Sequence, residues 1–363
     1  MVTALKTSIN ILLVFLFAAC TSVPDERMTP YVDFPETREL TARTLSLDSA
    51  LFRYPYRVRV QDDKAVVLDL HGTEYFFHAF HYPGFHYLSS FGKRGDAPEE
   101  MLSAENLRWN GNFLWTLDSN KSELTRLGFA SSGDSLLRLE AVSLDEELLR
   151  ALDFVQYDDS TFIIPDYSGD SRFCLVSRQG KLLHKIGTIP TTDEDALKNA
   201  HPALAQAWRS FIDYNPRNGV LAAVTQLGEV LEIYNLKDST HIVRIGPNGE
   251  PEFQISQGYG IPTGIMGFSD IQVTDSAIYV VFQGRAFKDI MQKAQQGINL
   301  PDGGQNIYVF SLEGKPLRKY VLDHYIHGIS VDEQKGIIIA TDVNKDCLLY
   351  TSDAADDLIG VDL

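Results

Sequence analysis

The chain is 363 residues long and sets 32 Lys and Arg against 49 Asp and Glu, a formal net charge of −17. Such a surface excludes nucleic acid as a partner, because phosphate backbones reward clustered cations. Length alone would suggest two domains, but an internal period overrides that count.

In chain order, residues 1–19 carry one lysine, Lys6, followed by the apolar run INILLVFLF and then Ala18 and Ala19. This is the pattern of a secretory signal, too short to need reading as a membrane span. The end Phe17-Ala18-Ala19-Cys20 resembles a bacterial lipoprotein box, although Phe17 stands where such boxes usually have Leu. The resemblance implies cleavage before Cys20 and lipidation of its thiol, and it makes residues 20–38 a tether. Thr21, not Asp, follows Cys20, so no inner-membrane retention signal is read there.

From Lys64 onward, six short apolar runs each end at the lip of a turn. They are VVLDLHG at Asp69, LWTLDSN at Asp118, IIPDYSG at Asp166, AAVTQLG at Gln226, YVVFQGR at Gln283 and IIATDVN at Asp342. The gaps are 49, 48, 60, 57 and 59 residues, within the range of propeller blades. Around Asp118 the order is strand, Asn110-Gly111 turn, apolar strand, polar turn and third strand, and Asn-Gly between apolar runs is a strong hairpin signal. Several units add a fourth strand. The expected fold is all-β: a six-bladed β-propeller of four-stranded antiparallel blades over residues 39–346. Residues 39–46 alternate suitably and are expected to close the ring as the outer strand of blade six.

Two blade ends read FGKRGDAPEE (91–100) and IGPNGEPEF (245–253), and His327-Gly-Ile-Ser-Val-Asp332 has the look of an opening strand. With these motifs the chain resembles the TolB-like and NHL-like six-bladed propellers, including lipoproteins of the Bacteroidota type. The resemblance implies the fold and a place in the cell envelope, and it leaves the chemistry open. A phosphate cradle at Gly92 and Gly95 is set aside because no strand-to-helix junction surrounds them.

Two segments break the β pattern. Residues 193–209 have helical spacing with Pro202 as a kink, and residues 286–296 form a second helical insertion. With the Gly-rich loop 258–264, both emerge at the same channel mouth as the strand ends. That convergence makes Asp69, Asp118, Asp166, Gln226, Gln283 and Asp342 the expected ligand-binding residues. The competing reading is that each Asp merely bonds nearby turn amides.

After Asp346 the text CLLYTSDAADD resembles a translated sequencing adapter, so residues 347–363 are expected to be non-native and blade six to lose its third strand. Without the signal and this tail the charge is −14, and Cys174 is the one cysteine left in the mature fold, expected as a buried structural thiol. His71, His78, His81 and His86 are crowded, but strand alternation sends His78 and His81 to opposite faces. Asp342-x-Asn344-x-Asp346 and Asp166-x-Ser168-x-Asp170 have alternating oxygens without the Gly and Glu of a calcium loop. No nucleophile elbow or zinc motif is present, and no metal, cofactor or catalytic set is assigned. The expected function is an exported lipoprotein propeller that binds or scaffolds in the cell envelope. Its partner is a protein, peptide or glycan, and it meets the membrane through the lipid alone. The alternative is an envelope hydrolase or lyase acting on a sugar or peptide at the channel mouth.

Overall fold

A computed structural model describes residues 28–45, 47 and 52–351. The signal segment, Cys20 and residues 352–363 lie outside the described residues.

Six antiparallel blades follow one another. Blade one is built from Pro55–Gln61, Lys64–Asp69, Tyr75–His81 and His86–Lys93. Blade two comprises Leu107–Asn110, Phe113–Asp118, Glu123–Phe129 and Leu136–Ser143; blade three comprises Val155–Asp158, Thr161–Pro165, Phe173–Ser177 and Leu182–Ile186. Blade four comprises Ser210–Asn215, Val220–Thr225, Val230–Asn235 and Thr240–Ile245, and blade five Phe268–Val273, Ala277–Phe282, Gly304–Ser311 and Pro316–Ile326. Blade six has Ile329–Asp332, Ile337–Asp342 and Cys347–Thr351. Asn110 pairs with Phe113 across the predicted Asn-Gly turn, where Gly111 takes φ 53°.

Each second strand lies between neighbouring blades with both faces covered, which is why it reads as an unbroken apolar run: all six residues of Val220–Thr225 and of Ala277–Phe282 are buried. Near the channel, every blade is bonded to the next by a side chain reaching a neighbouring main chain. Trp109 Nε1 donates to Arg59 O (3.3 Å) and Arg108 Nε to Phe154 O (3.2 Å). Asp153 accepts from Ile212 N (2.9 Å), Asp213 from Val273 N (2.7 Å) and Asp270 from Ile329 N (2.8 Å). Ser330 Oγ accepts from Val60 N (3.1 Å), which closes the ring.

The N-terminal segment departs from expectation. Instead of one outer strand at residues 39–46, it is a belt over three blades. Met28–Pro30 runs parallel to the outer strand of blade four, Thr37–Leu40 runs parallel to that of blade five, and Arg43–Thr44 is the antiparallel outer strand of blade six. From Met28 on, the segment assigned to the tether is therefore packed on the blades. Tyr31 and Phe34 explain the path: both are buried against Tyr308 and Phe310, and Tyr31 Oη donates to Glu229 Oε1 at 2.7 Å. Phe34→Ala is expected to cost about 3 kcal/mol, read as a lowered denaturation midpoint.

Blade six likewise keeps a third strand, contrary to expectation. Cys347–Thr351 pairs with Ile337–Asp342, and Leu348 and Leu349 are fully buried, because the CLLYT run is apolar enough to fill the position.

The predicted helices are present. The first segment splits into α1 (Glu194–Asn199), capped by Asp193, and α2 (His201–Ala207), with Pro202 in its first turn rather than in a helix interior. The second is α3 (Phe287–Gln295). The Gly-rich loop is instead a hairpin, Phe253–Ser256 with Tyr259–Pro262, packed on α2.

Candidate functional site

Second-to-third strand turns and blade-to-blade connections lie at one end of the channel, the strand-end mouth; first-to-second strand turns lie at the other, the hairpin mouth. All six expected ligand residues are at the strand-end mouth, where the four acids are buried and engaged with local groups. Asp69 accepts from Arg53 N (3.0 Å) and Tyr54 N (2.7 Å), fastening the chain entering blade one. Asp118 accepts from Leu102 N (2.7 Å), Ser103 Oγ (2.9 Å), Asn120 N (3.1 Å) and Lys121 N (3.0 Å). Asp342 accepts from Asn344 N (2.9 Å) and Lys345 N (3.2 Å). Asp166 accepts from Ser168 N (3.0 Å) and Ser171 N (3.2 Å). The Lys185 ammonium lies 3.1 Å from Asp166, 2.7 Å from Ser168 Oγ and 3.6 Å from Asp170, so a lysine takes the place a bound cation would have there. Gln226 and Gln283 are tied in by their backbones; Gln283 also borders a groove under α3. The histidines face different surroundings: His78 bonds Ser90 Oγ (2.8 Å), His81 lies 3.5 Å from Asp63, and His71 packs on Tyr54. Cys174 is buried, and burial, followed by the Asp166 charge, pushes its thiol up to about 12.

The channel itself is filled at its strand-end half. Arg57, fully buried, lies between the rings of Tyr56 and Phe211 at 4.0 and 4.6 Å, and its Nη1 donates to His327 Nδ1 at 2.9 Å. That bond assigns His327 as a neutral acceptor with its proton on Nε2. Burial, reinforced by the Arg57 charge, pushes the imidazole down to about 3. Asp270 balances the arginines: Arg57 Nε is at 3.1 Å, and Arg59 engages both carboxylate oxygens at 2.8 and 3.0 Å. Burial alone would raise this carboxyl, but the two guanidiniums outweigh it and hold it at about 2. Arg108 similarly joins Asp153 (3.3 Å) and Asp213 (3.2 Å).

At the hairpin mouth the channel opens into a cavity of about 650 Å³. Its floor is Arg59, Arg108 and Asp213; its walls include Trp109, Tyr157 and Tyr214, with Gln156, Asn215 and Gln272 among them. Burial holds the Asp213 carboxyl above its ordinary range despite Arg108 and Arg59. Gln156 Oε1, on the wall, has no hydrogen-bond partner among the described residues. Three flat rings around a polar floor offer stacking surfaces and directed hydrogen bonds.

Sequence reading missed this mouth, although a signal was present. Asp153, Asp213 and Asp270 each stand thirteen residues before the strand-end residue of their own blade, a repeated acid just before or on three inner strands.

A comparison with curated proteins found no match. Among solved structures, a Bacteroides fragilis protein designated exported is similar at TM-score 0.56 and 10% identity, covering 89% of this chain and 98% of its own. A member of the DUF4221 family from Bacteroides vulgatus is similar at TM-score 0.52 and 9% identity, covering 86% and 95%. Likeness at such identity concerns the fold. The sequence itself matches the family described as TolB-like 6-blade propeller-like over residues 33–334, so the chain belongs to the TolB-like six-bladed propellers.

Proposed function

We propose that this protein is an exported, lipid-anchored binding module of the cell envelope, and that its ligand, a peptide or a glycan, occupies the cavity at the hairpin mouth. The observation that carries the reading is that cavity: about 650 Å³, with Trp109, Tyr157 and Tyr214 standing around a charged, hydrogen-bonding floor. The opposite half of the channel is filled by Arg57, Tyr56, Phe211 and His327, and the strand-end acids are engaged with turn amides. Export and anchoring rest on the signal pattern of residues 1–19 and on Cys20. The twin-arginine floor is rigidly paired, so it holds its geometry before a ligand arrives and costs little to organise on binding.

The test is a thermal-shift panel of oligosaccharides and short peptides against the chain and its Tyr214→Ala variant. A saturable rise in melting temperature is expected for at least one class, and it should vanish in Tyr214→Ala. A rise that survives in Tyr214→Ala and is lost in Gln283→Ala would move the site to the strand-end mouth.

A further inference from the structure

Beside the central cavity, between blades one and two, runs a second groove of about 290 Å³. Gln61, Trp109 and Gly111 border both, so the two are continuous around Trp109. One side of the groove is an apolar strip and the other is polar, with Gln61, Asp62, Asp63, Lys64 and Asn112, the Lys64 ammonium lying 5.4 Å from the Phe129 ring centroid. Trp109 stacks on Phe129 with ring centroids 6.4 Å apart, and beyond them lie Phe113 and Leu139, 39% and 47% exposed. Leu139 lies flat across the strand because residue 128 is glycine: a Cβ there would come within 2.7 Å of Leu139 Cδ1. At Gly111, over which a ligand must pass from cavity to groove, a Cβ would meet nothing within 4 Å, so the passage is open. Phe113 and Leu139 give this groove an apolar strip open to an apolar side chain of a ligand.

Acids outnumber bases in the turns around this mouth, while inside the cavity Arg59, Arg108 and Arg217 stand beside Asp158, Asp159 and Asp213. The hairpin turns of blades one, three, five and six carry Asp62, Asp63, Asp158, Asp159, Asp275, Asp332 and Glu333. Lys64, Arg217 and Lys335 pair with Asp63, Asp275 and Asp332. Asp62, Asp158, Asp159 and Glu333 have no ion-pair partner among the described residues, and Asp158 and Asp159 line the cavity directly. A cation held at the exposed rim by Asp158 and Asp159, away from the arginine floor, gains Coulomb energy that no ion pair of the mouth already uses.

Resting on the proposed site, we infer that its ligand is an extended basic peptide. A lysine or arginine of the peptide sits at the rim of the central cavity by Asp158 and Asp159, and a neighbouring apolar side chain fills the groove of Trp109, Phe113, Phe129 and Leu139. A glycan would use the rings of the cavity but would gain nothing from Leu139 and Phe129, which offer no hydrogen-bond partner. The apolar strip therefore favours the peptide.

The test is fluorescence polarisation with three labelled hexapeptides: one with two lysines and a leucine, one with the leucine replaced by glycine, and one with both lysines replaced by glutamates. The first should bind best, and each replacement should weaken binding about tenfold or more. Leu139→Ser should reduce the leucine peptide to the level of the glycine peptide and leave the glycine peptide unchanged. Asp158→Asn with Asp159→Asn should remove the preference for lysine over glutamate. Equal binding of all three peptides, or no binding of the first at millimolar concentration, would overturn the inference. If an oligosaccharide then gives a thermal rise that depends on Tyr214, the site stands and only its ligand class is wrong. If nothing depends on Tyr214, the site reading fails with it.

Discussion

Asp270→Asn is expected to lower the unfolding free energy by about 3–5 kcal/mol, because it leaves Arg57 and Arg59 in the interior without their counterion. The two guanidinium groups converge on one carboxylate that is 1% exposed, and Asp270 also holds Ile329 N of the next blade. An asparagine keeps the shape but cannot offset two buried charges. Chemical denaturation with a reported midpoint and slope would measure the loss, and a change below about 1 kcal/mol would refute the role assigned to this cluster. The same groups set the acid limb of stability. Asp270 is held down to about 2, so its contribution is present above the ordinary carboxylate range and is lost as pH falls toward 2. His327 is held down to about 3, so the unfolded chain takes up a proton below about 6.5 that the folded chain refuses. Stability should therefore decline as pH is lowered from about 6.5, and His327→Gln should flatten the decline between pH 6.5 and 4.

The second large effect is expected at a strand end. Asp118→Ala removes an acceptor used by three backbone amides and one hydroxyl, at a carboxylate that is 1% exposed. Stranding those donors should cost about 3 kcal/mol. Gln226→Ala, at the equivalent place in blade four, should cost less than about 1 kcal/mol, because there the main chain makes the bonds: Gln226 N donates to Arg209 O and Gln226 O accepts from Gly267 N, both at 2.8 Å. Paired denaturation curves separate the two readings of these residues. Equal costs at Asp118 and Gln226 would contradict the turn-anchoring role of the carboxylate.

Much of the architecture was legible because it rests on local signals. The strand-end residues mark one position in every blade, Asn110-Gly111 is the turn it looked like, and Pro202 marks the boundary between α1 and α2. The belt was not legible. Tyr31 and Phe34 find their partners Tyr308 and Phe310 far away in the chain, and three-residue strands leave no period to read. The cavity was hidden for the same reason. Asp270 and Arg59 are 211 residues apart, and their pairing is a property of the closed ring. From sequence the two mouths look equivalent, and the helical insertions drew the site to the strand-end side. What decides between them is which half of the channel the side chains fill, and Arg57 between Tyr56 and Phe211 fills the half under the insertions.

The tryptophans of the chain distinguish the hairpin mouth from every other place a ligand could bind. Of the three in the chain, Trp115 and Trp208 are 1% exposed, and Trp109 alone forms part of the cavity wall. Acrylamide quenching of tryptophan emission should therefore report the hairpin mouth almost exclusively. A saturating ligand, chosen as the compound with the largest thermal shift, should protect the emission from quenching, and Trp109→Phe should abolish both the quenchable fraction and its protection. A compound that raises the melting temperature yet leaves the quenching of Trp109 unchanged would place the ligand elsewhere and contradict the assignment of the hairpin mouth.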